Sequence, residues 1–217
     1  MKIAVIGATG LVGAAVVKEL AQRGHQVTAF ARNTAKVPAS ANVQPQALDV
    51  ASPDFSLAGF DGVVSAFNAG WENPNYVADS ERGYAAIFRA LVAAQVPYSL
   101  IVGGAGSLYV APNVQLVDTP DFPAAVYPGA NFYRNLLNEI RARRDFSWTF
   151  LSPAAMFAVN EPHFERSGQY RLGGDQVLMD SNGQPADISV PDLACAIADE
   201  MERPAHRFQR FTVAAQL

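Results

Sequence analysis

Three glycines stand three residues apart in GATGLVG: Gly7, Gly10 and Gly13. They carry no nucleophile and no exchangeable proton, so the chemistry open to them is the holding of an anion by backbone N–H groups. In that role Gly7 permits a tight turn. Gly10 lets the backbone come up to a phosphate where a side chain would collide, and Gly13 lets a following helix pack close to the preceding strand. The first N–H groups of that helix, and the positive end of its dipole, would then face the charge. Arg32 is a second candidate, a planar guanidinium able to grip a phosphate through two N–H groups. Residues for other chemistries are sparse. Cys195, the one cysteine, lies in the apolar stretch LACAIA, and His25, His163 and His206 are far apart in sequence, so no metal site is expected.

The elements that must position these residues can be read from hydrophobic spacing. KIAVI, residues 2–6, reads as a strand buried on both faces. Leu11, Val12, Val16 and Leu20 have helical spacing, and Gly24 ends that helix. HQVTAFAR, PQALDV and DGVVSAFN read as the next three strands, with SPDFSLAGF a connector between the last two. A helix over residues 79–95 presents one apolar face of Tyr84, Ile87, Phe88, Leu91 and Val92, and Pro97 bars its continuation. YSLIVGG is a fifth strand, residues 130–144 a second long helix, and SWTFLS a sixth strand. Beyond it GQYRL and QVLMD read as short strands, SNG as a hairpin turn, Ser189 with Asp192 as a capping box before a helix in DLACAIADEM, and RFTVAA as a closing strand. Strand and helix alternate, which predicts an α/β fold with a parallel sheet covered on both faces. The chain reads as one domain over residues 1–217, with residues 156–190 a small substrate-side annex.

The glycine loop therefore follows a strand and opens a helix, the context that a dinucleotide-binding fingerprint requires. This predicts a Rossmann-type doubly wound sheet with a small C-terminal extension. Lys2 and the 15-residue uncharged run after it have the outline of a signal peptide, but the glycines and the continuing pattern favour strand, turn and helix. In NAD-preferring sites a carboxylate near the end of the second strand binds the ribose 2′-OH. Here Ala31 and Arg32 occupy that place, and no Asp or Glu occurs between Glu19 and Asp49. NADP is the expected cofactor, with NAD the second choice. The net charge of −4 and the lack of a basic run beyond Arg141, Arg143 and Arg144 argue against a nucleic-acid partner. The single cysteine fits a reducing compartment, so a cytoplasmic protein is expected. The N-terminal run is too short to span a bilayer, so no membrane partner is expected, and the protein is read as a monomer or homodimer acting on a small molecule.

IGATGLVG, ALDV, VSAFNAG, VGGAGSL, WTFLSPAAMF, GQYRLGGDQVL and DISVPDLACAIADEM together resemble the atypical short-chain dehydrogenase/reductases of the NmrA-like, NAD(P)H-binding group, which includes flavin-reductase-like and biliverdin-reductase-like members. The resemblance implies that Thr9, Leu11 and Val12 line the diphosphate and that Arg32 meets the 2′-phosphate. It implies that Asp49 and Val50 flank the adenine, and that Ala66, Phe67 and Asn68 lie along the adenosine ribose. Gly103, Gly104, Ser152, Pro153, Ala154 and Ala155 would approach the nicotinamide.

The proton-handling residues are harder to assign. Short-chain dehydrogenases typically use Tyr-x-x-x-Lys after the fifth strand, where the lysine lowers the tyrosine pKa. Lysine occurs here only at positions 2, 18 and 36, so Tyr127 is followed four residues on by Asn131 and Tyr133 by Leu137. Some relatives place a histidine after the proline that follows the sixth strand; here that residue is Ala154. Ser107 and Tyr127 are the candidate catalytic hydroxyls, with Tyr109 and His163 further possibilities. Hydride transfer to a flavin or quinone asks mainly that two flat rings be held face to face. Trp71, Tyr109, Met156 and Phe157, with Phe67, could form such a pocket. Two functions follow: an NADPH-dependent reductase of a small conjugated acceptor, or a non-catalytic NADP(H) sensor of the NmrA type.

Overall fold

The computed structural model describes residues 1–52, 55–159 and 161–217. Pro53 and Asp54 of the SPDFSLAGF connector, and Asn160 of the annex, lie outside the described residues. The chain forms β1 (Lys2–Ile6), α1 (Leu11–Gln22), β2 (Gln26–Ala31), β3 (Val43–Ala47), β4 (Gly62–Ser65), α2 (Tyr76–Ala94) and β5 (Ser99–Val102). It continues through β6 (Tyr109–Ala111), β7 (Val114–Gln115), α3 (Tyr127–Arg141), β8 (Thr149–Ser152), β9 (Tyr170–Gly173), α4 (Val190–Glu202) and β10 (Arg210–Ala215). Eight strands make one sheet in the order β3-β2-β1-β4-β5-β8-β10-β9. All neighbours are parallel except β9, which runs antiparallel to β10.

Alternation in β1 shows why the sheet is covered twice. Ile3 and Val5 pack with Val16, Val17 and Leu20 of α1 and with Leu193 and Ile197 of α4. Ala4 and Ile6 pack on the other face with Ile87 and Leu91 of α2 and with Phe132 and Leu136 of α3. A strand buried on both faces needs an unbroken apolar run, which KIAVI supplies. From β1 the chain steps outward through β2 and β3, then returns to place β4 on the other side of β1. That reversal opens a crevice at the carboxyl ends of β1 and β4, where open α/β sheets bind ligands.

The elements differ from the sequence reading in a few places. The third strand ends at Ala47, not Val50: Leu48 donates one more bond to the Ala31 carbonyl at 3.0 Å, and then the Asp49 carboxylate accepts from the Ala51 N–H at 3.0 Å and turns the chain. The two long helices begin three residues earlier than expected, α2 at Tyr76 and α3 at Tyr127, the second with Pro128 in its first turn. QVLMD does not form a strand. Val177 bonds to Tyr109 and Leu178 to Ala186, so its partners lie on two different segments and no ladder forms. A β6–β7 hairpin, which the hydrophobic pattern does not mark, turns at Asn113 with φ 62°. Half of the expected capping box is present. Ser189 Oγ accepts from the Asp192 N–H at 3.1 Å, but the Asp192 carboxylate holds Ser167 and Gly168 instead of reaching back. Within the expected annex, β9 joins the main sheet as its antiparallel edge.

Candidate cofactor crevice

Each of the three loop glycines has its own physical reason. Gly7 sits at φ +82°, and a Cβ there would stand 2.5 Å from the Ala66 carbonyl oxygen. A Cβ on Gly13 would stand 2.1 Å from the Gly7 carbonyl oxygen, so this residue lets α1 close onto the loop. Both are demanded by packing within the chain. Gly10 is different: its φ is −77° and a Cβ would meet only the Gly7 oxygen, at an ordinary 3.5 Å. The protein itself does not require glycine at position 10. Gly10 also flanks α1 without a side-chain cap, and the first turn of α1 holds no acidic residue. The first N–H groups of the helix are therefore left for an external acceptor.

A crevice of about 400 Å³ opens above this loop. Gly7, Thr9 and Gly10 form one wall; Ala31 and Arg32 enter from the end of β2, Asp49 and Val50 from beyond β3, and Ala66, Phe67 and Asn68 from beyond β4. Leu11, Val12 and Gly13 do not line it with side chains; they belong to the turn whose N–H groups adjoin Gly10. Arg32 is exposed at the rim. The lining also takes in residues that the sequence does not mark for the site, among them the polar Asn73, Asp79 and Arg82, with Gly83 beside them. The exposed face of α2 carried the signal, since Asp79 and Arg82 have the i,i+3 spacing of a surface pair.

The β4 end of the crevice is held rigid by buried tyrosines. The Phe67 carbonyl accepts from the Tyr84 hydroxyl at 3.3 Å and from the Tyr133 hydroxyl at 3.1 Å. Asn68 accepts from the Gly70 N–H at 2.8 Å and donates to the Tyr76 hydroxyl at 3.0 Å. Burial pushes the hydroxyls of Tyr76, Tyr84 and Tyr133 well above the ordinary phenol value. At physiological pH all three are neutral; Tyr84 and Tyr133 donate to the Phe67 carbonyl, and Tyr76 accepts from Asn68.

The ends of β5 and β8 are built differently. Gly103, Gly104, Ser152, Pro153, Ala154 and Ala155 stand there, outside the lining of the crevice. Ser107 is buried, and its Oγ accepts from Arg210 Nη1 at 3.3 Å. The same nitrogen donates to Ser152 Oγ at 3.4 Å, while Arg210 Nε donates to Asp175 Oδ1 at 2.6 Å. The Arg210 side chain is 1% exposed. Burial pulls its pKa down from the ordinary value, and the Asp175 carboxylate acts against that pull. Arg210 begins the otherwise apolar strand RFTVAA, which is the only mark it left in the sequence.

Of the remaining candidates, Trp71 is 64% exposed, yet its ring stacks on Tyr76 at 5.1 Å and lies against Gly129, where a Cβ would come within 2.4 Å of Trp71 Cζ3. Tyr109 lies in β6 and is partly buried, as are Met156 and Phe157; Phe157 packs on the α1–α4 side of the sheet. Tyr127 is not brought to the crevice. It lines a separate groove between α2 and α3 with Val77, Glu81 and Asn131, because α3 begins at that residue and its first turn faces α2. His163 is exposed and pairs with Asp187 at 3.3 Å. Among the described residues no group of three or more His, Cys, Asp or Glu could hold a metal, and no helix is long and apolar enough to cross a membrane.

A doubly wound sheet with a glycine-built anion seat at its switch point defines a nucleotide-binding protein of the Rossmann type. The chain belongs to the NAD(P)H-binding family, whose model matches residues 7–204. It is 38% identical over 220 residues to YwnB of Bacillus subtilis, an uncharacterized protein, covering 100% of this chain and 99% of that one. It also superposes on a Streptococcus pneumoniae protein provisionally named an NADH-flavin reductase, with TM-score 0.87, 34% identity and 100% of both chains covered. A Bacteroides thetaiotaomicron protein provisionally named an epimerase matches with TM-score 0.88 and 36% identity, covering 100% of this chain and 97% of that one.

Proposed function

We propose that this protein is an NADPH-dependent reductase that passes hydride to a small conjugated acceptor such as a flavin or quinone. The observation that carries the reading is the seat at Gly10: a glycine that the fold does not need, at the open end of an uncapped helix, in a crevice with Arg32 on its rim. The residues fit a dinucleotide. The Gly10 turn and the first N–H groups of α1 would hold the pyrophosphate, Asp49 and Val50 the adenine, and Arg32 the 2′-phosphate. The cofactor, when bound, supplies the hydride. The protein's part is to orient and to exclude water. The tyrosine-held carbonyl of Phe67 fixes the ribose wall, and Trp71, stacked on Tyr76, offers a flat apolar face to an acceptor ring. The Streptococcus pneumoniae relative supports this choice of acceptor by its name.

The second reading, a sensor of the NADP redox state, is favoured by one observation. Tyr133, the buried tyrosine beside Gly104, has Leu137 in place of a lysine and spends its hydroxyl on the Phe67 carbonyl. One experiment separates the two. Purified protein is mixed with NADPH and a panel of flavins and quinones, and nicotinamide absorbance is followed. Catalysed oxidation with one acceptor class is the expected result. Saturable NADPH binding with no oxidation by any acceptor would replace the reductase with the sensor.

A further inference from the structure

Two arginines line the crevice, and they differ in their partners. Arg32 directly follows β2 and is exposed. Arg82 stands on α2 and is paired with Asp79, three residues earlier on the same helix. Asp79 in turn accepts from Asn73 Nδ2 at 2.7 Å, and all three residues face the crevice. Nothing in the packing explains Arg82. Its side chain is 69% exposed, and an exposed pair of this spacing is weak and readily exchanged. Its placement, however, is fixed. A Cβ on the next residue, Gly83, would come within 2.3 Å of the Phe67 ring, so α2 is seated directly on the crevice wall and carries Arg82 to the rim.

The carboxylates of the crevice are already engaged. Asp49 turns its own backbone through the Ala51 N–H, and Asp79 serves Arg82 and Asn73. What the crevice offers a ligand is therefore cationic: an exposed guanidinium just after β2 and a loosely held one on α2. We propose that Arg82 is a second phosphate-reading residue, meeting the adenosine 2′-phosphate from α2 while Arg32 meets it from β2, with Asp79 as the counter-ion that Arg82 leaves on binding. A phosphate dianion has three acceptor oxygens and suits two planar forks, whereas Asp79 offers one negative charge shared with an amide. This inference rests on the NADPH reading above and adds the residue that sets the preference for the phosphorylated cofactor.

The test compares dissociation constants for NADPH and NADH in the wild type, Arg82→Ala, Arg32→Ala and Asp79→Asn, with 2′,5′-ADP and 5′-ADP as probes that lack the nicotinamide. Arg82→Ala is expected to weaken NADPH and 2′,5′-ADP about tenfold and to leave NADH and 5′-ADP within about twofold. Asp79→Asn keeps an acceptor for Asn73, frees Arg82, and is expected to tighten NADPH about threefold with NADH unchanged. Equal losses for both nucleotides in Arg82→Ala would overturn the inference and assign the guanidinium to the adenine or pyrophosphate. No loss for either would overturn it as well. If Arg32→Ala erases the preference and Arg82→Ala preserves it, this inference fails alone. If the wild type shows no preference for NADPH, the parent reading fails with it. A circular-dichroism melt of each variant, and partial recovery in Arg82→Lys, guard against a folding artefact.

Discussion

The two ends of the candidate site handle their polar groups in opposite ways. At the carboxyl ends of β1, β2 and β4 the chain leaves charge and backbone donors facing outward: an uncapped helix start at Gly10, an exposed Arg32, and an Arg82 tied only to its own helix. At the carboxyl ends of β5 and β8 it does the reverse. Arg210 is fully buried and spends its guanidinium on Ser107, Ser152 and Asp175. The first region leaves its donors facing outward, while in the second the buried guanidinium is held by partners within the chain. That contrast is the basis for proposing that the nucleotide is recognised on the β1–β2–β4 side of the switch point. On the other side Arg210 ties β10 to the ends of β5 and β8 through Ser107 and Ser152.

The sharpest way to break this comparison is to substitute two neighbouring glycines. Gly13→Ala forces a Cβ against the Gly7 carbonyl and should cost about 3 kcal/mol of stability, read by chemical denaturation. Gly10→Ala has room and should change stability by no more than about 0.5 kcal/mol. It should nevertheless weaken NADPH and NADH about thirtyfold, because the new methyl occupies the approach to the helix start. If Gly10→Ala bound both nucleotides like the wild type, the nucleotide seat would lie elsewhere.

Next in size is Arg210→Met, which removes the cation that satisfies two buried serines. Asp175 is half exposed and can return to water, so the loss should be about 2–3 kcal/mol, carried by Ser107 and Ser152. A smaller value in denaturant melts would mean that those hydroxyls find other partners and that the β5–β8 end is less rigid than its geometry implies.

Acid sensitivity probes the opposite face of the sheet. Burial alone would raise the Glu19 pKa, but hydrogen bonds and charge from Arg166 and Arg23 outweigh it and bring it down to about 2. A depressed carboxylate stabilises the fold fully above its unfolded pKa. That stability is lost as pH falls through the folded value, here between about pH 5 and pH 2. Because Arg166 is half exposed, the effect after screening should be on the order of 2 kcal/mol. Glu19→Gln should flatten that limb of the stability–pH curve; an unchanged limb would assign acid unfolding to other carboxylates.

The smallest effect on folding is expected at Trp71. Its ring is mostly exposed, so Trp71→Ala should alter stability by less than about 1 kcal/mol, yet it should raise the acceptor KM severalfold and leave the NADPH Kd unchanged. A change in NADPH affinity of similar size would move Trp71 from the acceptor side to the nucleotide side.

How much of this could be read from the sequence follows the same divide. The crevice around the glycine loop was legible because its signals are local: glycines at fixed spacing, a strand before them, a helix after them, and Arg32 just past the second strand. The β5–β8 end was not, because Arg210 takes its meaning from Ser107, Ser152 and Asp175, brought together only by the fold. Tyr127 lies away from the crevice for a related reason. Its position in the chain is near the expected place of a catalytic tyrosine, but the helix starts at Tyr127 and carries it into the α2–α3 groove. QVLMD has the composition of a strand and lacks a continuous partner, which composition cannot reveal.

The central claim is that the start of α1 is a seat for a dinucleotide pyrophosphate. Titration of the wild-type protein with NADPH, followed by tryptophan fluorescence and by the thermal melting point, tests it most directly. Saturable binding with a Kd on the order of micromolar and a rise in melting temperature are the predicted results. Fluorescence and melting point that stay unchanged at millimolar NADPH and NADH would contradict the claim.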